Sequence, residues 1–84
     1  MLYVEQIRAA RALLSWKQVT LAANSGVAVS TIKRIEGGEG LLRASTDSAW
    51  RIQRALEKAG VIFIDGNEST GPGVRLSKPF LDYG

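Results

Sequence analysis

Ile7, Ala10 and Leu14, spaced three and four apart between Val4 and Leu14, form one apolar stripe with Arg8 and Arg11 beside it, and this period predicts a first helix. From Lys17 to Asn24 a short second helix is expected, with Val19, Leu21, Ala22 and Ala23 on its inward side. Asn24-Ser25-Gly26 ends it, because glycine enters the left-handed conformation without a Cβ penalty. A third segment, Val29 to Glu36, has Ile32 and Ile35 three apart and stops at Gly37-Gly38. Ser45 or Thr46 caps a fourth helix that runs to Ala59, with Ala49, Ile52, Leu56 and Ala59 on one face and Gly60 terminating it.

After Gly60 the period changes. Val61-Ile62-Phe63-Ile64 is β-branched and aromatic, residues 65–73 are turn formers, and Val74-Arg75-Leu76 alternates, so a β-hairpin with a long loop is expected. The first strand is apolar on both faces, Val61 and Phe63 on one and Ile62 and Ile64 on the other, and the helices of one chain cover only one of them. Two readings follow: the strand wraps a corner of the core, or a second copy covers the other face. The second makes Val61, Ile62, Phe63, Ile64, Val74 and Leu76 a dimer interface. The expected fold class is mostly α: a four- to five-helix domain over residues 1–60, a hairpin over 61–77 and a tail over 78–84, whose Pro79, Phe80, Leu81 and Tyr83 show no period.

With 84 residues the chain has room for one domain and a thin core, burying about 60–65% of the surface that the unfolded form exposes. Cysteine and histidine are both absent, which removes disulfides, thiol nucleophiles, imidazole bases and thiolate or imidazole metal sites. No readable pair of acid/base carboxylates and no glycine-rich loop leading into Lys-Ser/Thr is present, so neither an enzyme nor a cofactor or metal is expected. Apolar runs fall far short of the ~20 residues of a membrane span. No cationic stretch leads into an apolar region at the N-terminus, so a cytoplasmic protein is expected.

Charge is unevenly placed. Residues 1–60 hold nine Lys and Arg against five Asp and Glu, a net of +4, whereas residues 61–84 hold two against three. The positive field therefore belongs to the helical part, where a polyanion would be met.

Two short helices around a Gly-containing turn, preceded by a basic helix, match the helix-turn-helix arrangement. The stretch from Gln18 to Glu36, QVTLAANSGVAVSTIKRIE, resembles the Cro and lambda-repressor class of regulators, also called xenobiotic-response-element-like. Gln18 opens helix two, Leu21-Ala22 follows, Gly26-Val27 makes the turn, and Ser30-Thr31-Ile32 with Arg34-Ile35-Glu36 forms the recognition helix. The similarity covers residues 4–60, and Gly71-Pro72-Gly73-Val74-Arg75-Leu76 is similar to the tails of small bacterial members. Trp16, Leu21, Val27, Ile32 and Ile35 read as core between the helices.

The resemblance implies a lambda-repressor-like domain that binds double-stranded DNA as a homodimer, most simply a repressor. It places Val29, Ser30 and Arg34 toward base edges in the major groove, and Gln18 and Thr31 near the sugar-phosphate backbone. Arg34 suits guanine O6 and N7, Ser30 serves several bases, and Val29 suits the thymine methyl. Lys33, next to Arg34, is expected at the sugar-phosphate backbone, the bland reading of both being a solvated face. Arg43, in the loop after the third helix, is positioned to reach a phosphate, while Arg8, Arg51, Arg54 and Lys58 read as surface solvation. The family also joins a basic residue to the acid ending the recognition helix, here Arg11 and Glu36. The chain departs from the family at Lys17 and Ala28, where Ser or Thr commonly caps each helix, and each missing cap costs about 0.5–2 kcal/mol. Lys17 is then available for a phosphate. The competing expectation is a protein-interaction module, such as an antitoxin or accessory subunit, docking a partner through Val61–Ile64.

Overall fold

Four helices form where the apolar spacing predicts them, and a two-stranded antiparallel sheet follows. The computed structural model describes residues 2–78. Its elements are α1 (Val4–Leu14), α2 (Gln18–Ser25), α3 (Val29–Glu36), α4 (Thr46–Lys58), β1 (Val61–Ile64) and β2 (Gly73–Leu76). Of the tail expected over 78–84, all but Lys78 lies outside the described residues.

Local chemistry explains most element ends. Ser45, rather than Thr46, caps α4: its Oγ accepts from the Ser48 N–H at 3.1 Å. Neither Lys17 nor Ala28 supplies a side-chain cap to α2 or α3. Gly26 ends α2 at φ +74°, and its N–H returns to the Ala22 carbonyl at 3.0 Å. α1 ends in the left-handed region without a glycine, at Ser15 (φ 55°), and the Ser15 and Trp16 N–H groups close on Ala12 and Arg11 carbonyls at 3.1 and 2.9 Å. Gly37, expected to stop α3, keeps a right-handed φ of −74°.

One apolar core joins all the elements. Val4, Ile7 and Ala10 of α1 meet Leu21 of α2, Val27 of the turn, Ile32 and Ile35 of α3, Ile52, Ala55 and Leu56 of α4, and Val61 of β1. Trp16 is half-buried against this cluster. Two of the predicted faces need correction. In α2, Val19 is 57% exposed and Ala23 is exposed, leaving Leu21, Ser25 and half-buried Ala22 inward. A run of small apolar residues over eight positions carries too little contrast for the period to choose a face. In α4, Ala59 is exposed as the C-terminal cap and Ala55 is buried.

The hairpin shares that core. Val61 pairs with Leu76 and Phe63 with Val74, and cross-strand partners share a face, so these four side chains turn inward together. Val61 is only 3% exposed, and Phe63, Val74 and Leu76 pack half-buried against the core. Of the six residues expected at a dimer interface, Val61 is buried by its own chain and Phe63, Val74 and Leu76 are partly covered by it. Ile62 and Ile64 remain on the outer face, with Arg75 opposite Ile62. Ile64 is 37% exposed.

A buried polar side chain that the apolar pattern does not reveal locks the hairpin to α1. Gln6, 3% exposed, accepts from the Tyr3 N–H through Oε1 at 2.9 Å. Its Nε2 donates to the Ile64 and Gly73 carbonyls at 3.2 and 3.0 Å, at the loop end of both strands. Replacing Gln6 with Leu keeps the volume but strands the Tyr3 N–H, and urea denaturation should show a loss of about 1–3 kcal/mol. Gly26→Ala should cost about 1–2 kcal/mol in the same assay, because an L side chain resists that φ and its Cβ would lie 3.2 Å from Arg51 Nη1.

Candidate nucleic-acid interface

The third helix divides cleanly into two sides. Ile32, Ile35 and Glu36 are buried, while Ser30, Lys33 and Arg34 are exposed and Val29 and Thr31 are half-buried. Residues three and four apart on a helix are neighbours, so Val29, Ser30, Lys33 and Arg34 form one outward face, with Thr31 flanking Arg34. That face carries two cations and no acid. Among the described residues neither cation has a salt-bridge partner, and the same holds for Lys17 and Arg43.

Behind this face stands a single carboxylate. Glu36 is buried, and its two oxygens take Arg11 Nε at 2.7 Å and Nη2 at 2.5 Å. The predicted Arg11–Glu36 pair is thus present and bidentate, with side-chain exposures of 19% and 4%. Hydrogen bonding to Glu36 raises the Arg11 pKa further above its ordinary value, against the opposing effect of burial. Arg11 Nη1 also donates to the Trp16 carbonyl at 2.9 Å, so the guanidinium spends donors on both α3 and the linker before α2. Gln18 joins them, its Nε2 donating to Glu36 Oε1 at 3.1 Å. The sequence expects Gln18 at the DNA backbone; the structure binds its amide to Glu36, setting the start of α2 against the end of α3. Exposed Lys17 consequently lies at the same end of the unit as Lys33 and Arg34.

Arg8 corrects an expectation. Instead of a purely solvated side chain, it donates through Nη1 to the Glu36 and Gly38 carbonyls at 2.7 and 3.2 Å. The first is the last carbonyl of α3 and the second lies in the loop just beyond, so a cation closes on the end of a helix that stops, as expected, at Gly37-Gly38. The following loop is then pinned to the N-terminal segment. Val4 N–H donates to the Gly40 carbonyl at 2.9 Å, Leu42 N–H donates to the Leu2 carbonyl at 2.9 Å, and Tyr3 bridges Leu41. Arg43 leaves this pinned stretch exposed. Glu5 accepts from the Gly40 N–H at 3.1 Å, and bonds from its own backbone N–H and then from Gly40 hold its carboxyl below the usual value, with a smaller pull from Arg8.

The remaining cations of α4 are placed elsewhere. Arg51 pairs with Asp47 at 2.9 Å one turn away, and Arg54 stacks 5.9 Å from the centroid of Trp50, a ring 61% exposed. Glu5, Gln6 and Arg8 have structural roles that sequence reasoning missed. Only Gln6 left a signal, three residues after Tyr3, which is the spacing by which a Gln side chain reaches back to a cap N–H. No group of three or more potential metal ligands occurs among the described residues, and no helix there is long and apolar enough to cross a membrane. Comparison with protein-family models, curated proteins and solved structures returns no match for this chain.

Removing one member of a buried ion pair strands the other charge, so Arg11→Met or Glu36→Met alone should each destabilise by about 3–5 kcal/mol in urea denaturation. The double replacement should cost far less than their sum; additive losses would mean that the two side chains do not interact. Glu5 should titrate below the ordinary glutamate range when its side-chain carbon is followed by NMR. Because its folded pKa is depressed, the stability it contributes is present above the unfolded value and lost as pH falls through the folded one.

Proposed function

We propose that this chain is a sequence-specific double-stranded DNA-binding transcriptional regulator, most simply a dimeric repressor, that reads the major groove with α3. The observation that carries the reading is the outward face of Val29, Ser30, Lys33 and Arg34: two cations with no salt-bridge partner among the described residues, beside a hydroxyl and a methyl-bearing side chain, mounted on a helix whose other side is locked into the core. A guanidinium so placed forks onto guanine O6 and N7, Ser30 meets several base edges, and Val29 packs against a thymine methyl. Lys17, Lys33 and Arg43 supply charge toward phosphates and Thr31 a hydroxyl, a sequence-independent attraction that sets register.

Dimerisation turns one reader into two. Two copies presenting α3 about 34 Å apart would match successive major grooves of a near-palindromic site. The outer face of the hairpin, with Ile62 and exposed Ile64, supports an assembly through the strands. The same observation favours the second reading, an antitoxin or accessory subunit that docks a partner protein through this face. Light scattering that gives a monomer, together with co-purification of an equimolar second protein, would select it. A DNA-bound role implies a cytoplasmic location.

Selection of binding sites from random duplexes, followed by fluorescence anisotropy, tests the main reading. The selected sites should be near-palindromic, and affinity should fall steeply with salt as counterions leave the phosphates. Arg34→Ala should cost about 1–3 kcal/mol and relax one base position, whereas Arg43→Ala should weaken all sequences alike and lower the salt slope by about 1. Salt-independent binding, or no preference for any sequence, would overturn the proposal.

A further inference from the structure

The helices α2 and α3 are joined by the chain at one end only, through Gly26-Val27-Ala28. The first residue of α2 and the last of α3 lie at the other end of the pair, and there the Gln18 amide meets the Glu36 carboxylate at 3.1 Å. Each helix has eight residues, about 12 Å of axis, so a small change of angle at the turn moves the far end by ångströms. The starts of both helices lack side-chain caps, which leaves that angle less restrained by local bonds. Glu36 is itself held at both ends, Arg11 on its carboxylate and Arg8 on its carbonyl.

We infer that Gln18 is a positioning residue for α3: its amide, held by Glu36, fixes the angle between α2 and α3 and thereby where Ser30 and Arg34 stand, instead of serving as a phosphate ligand. The inference rests on the DNA-reading function proposed above. A bidentate contact to a base edge tolerates misplacement of only about 0.5 Å and 10–20°. Attraction between Lys or Arg and phosphates tolerates much more. Loosening the tie should therefore reduce discrimination between sequences while leaving general affinity in place.

Gln18→Met keeps the length of the side chain, removes the donor and leaves the Arg11–Glu36 pair intact, so the variant is expected to fold. Full-length wild type and variant are compared on the selected duplex and on a scrambled duplex, and then on selected duplexes carrying single neutral methylphosphonates at successive positions. Amide hydrogen exchange of α3 is followed without DNA. Affinity for the selected site should drop about tenfold, the scale of one hydrogen bond to a charged group, with the scrambled duplex changed less than about twofold. The loss should persist on every methylphosphonate duplex, and the amides of Ile32 to Glu36 should exchange faster in the variant. Equal losses on both duplexes that vanish at one methylphosphonate would make Gln18 a phosphate ligand and overturn the inference, as would unchanged affinity. Wild type that prefers no sequence would instead defeat the DNA-reading proposal; exchange alone then decides, faster exchange supporting the positioning role and unchanged exchange overturning it.

Discussion

The Glu36 carboxylate organises the helical part of the molecule. A buried anion is costly unless its lone pairs are filled by donors and its charge is opposed, and here Arg11 does both through two nitrogens while Gln18 adds a third donor. The group that satisfies it comes from α1, the residue that bears it ends α3, and the auxiliary donor opens α2. Satisfying one charge thus fixes three helix ends against each other. The apolar core supplies the bulk of the driving force but is tolerant of small rotations. Directional bonds to a single carboxylate are not.

A second set of bonds fastens the parts that helices alone would leave loose. Arg8 closes the end of α3, Glu5 and the Val4 N–H hold Gly40, and Gln6 reaches the loop end of the hairpin. All of these groups come from the first two turns of α1. A thin core in so short a chain gains from such an arrangement, since one rigid helix positions the loop carrying Arg43 and the strands carrying Ile62 and Ile64. The outward face of α3 is what these restraints leave free. Its cations are not consumed by internal pairs among the described residues, whereas Arg8, Arg11 and Arg51 are.

Helix positions, the Gly26 turn, the Ser45 cap and the hairpin were legible because each depends on local spacing or on one residue's conformational preference. Ile32 and Ile35 three apart, with Ser30 and Arg34 on the opposite side, suffice to separate the buried from the outward face of α3. The Arg11–Glu36 pair was legible only through resemblance, since 25 residues of chain lie between its members. Where local contrast was weak, as in α2, the reading put Val19 and Ala23 on the inward side and packing turned both outward.

The sequence by itself therefore determined where the helices and strands lie, which glycine turns the chain, and the positive bias of the first sixty residues, because short-range sterics, apolar period and charge count need no knowledge of neighbours. Only the tertiary structure decided that Gln18 meets Glu36, that Arg8 closes on the last carbonyl of a helix 28 residues away, and that Val61 is buried while Phe63, Val74 and Leu76 pack half-buried on their own chain's core. A Gln or Arg has several possible acceptors, and an apolar strand has two possible covers. Which of them it meets is set by the angles at which the elements pack, and those angles arise from the whole core at once.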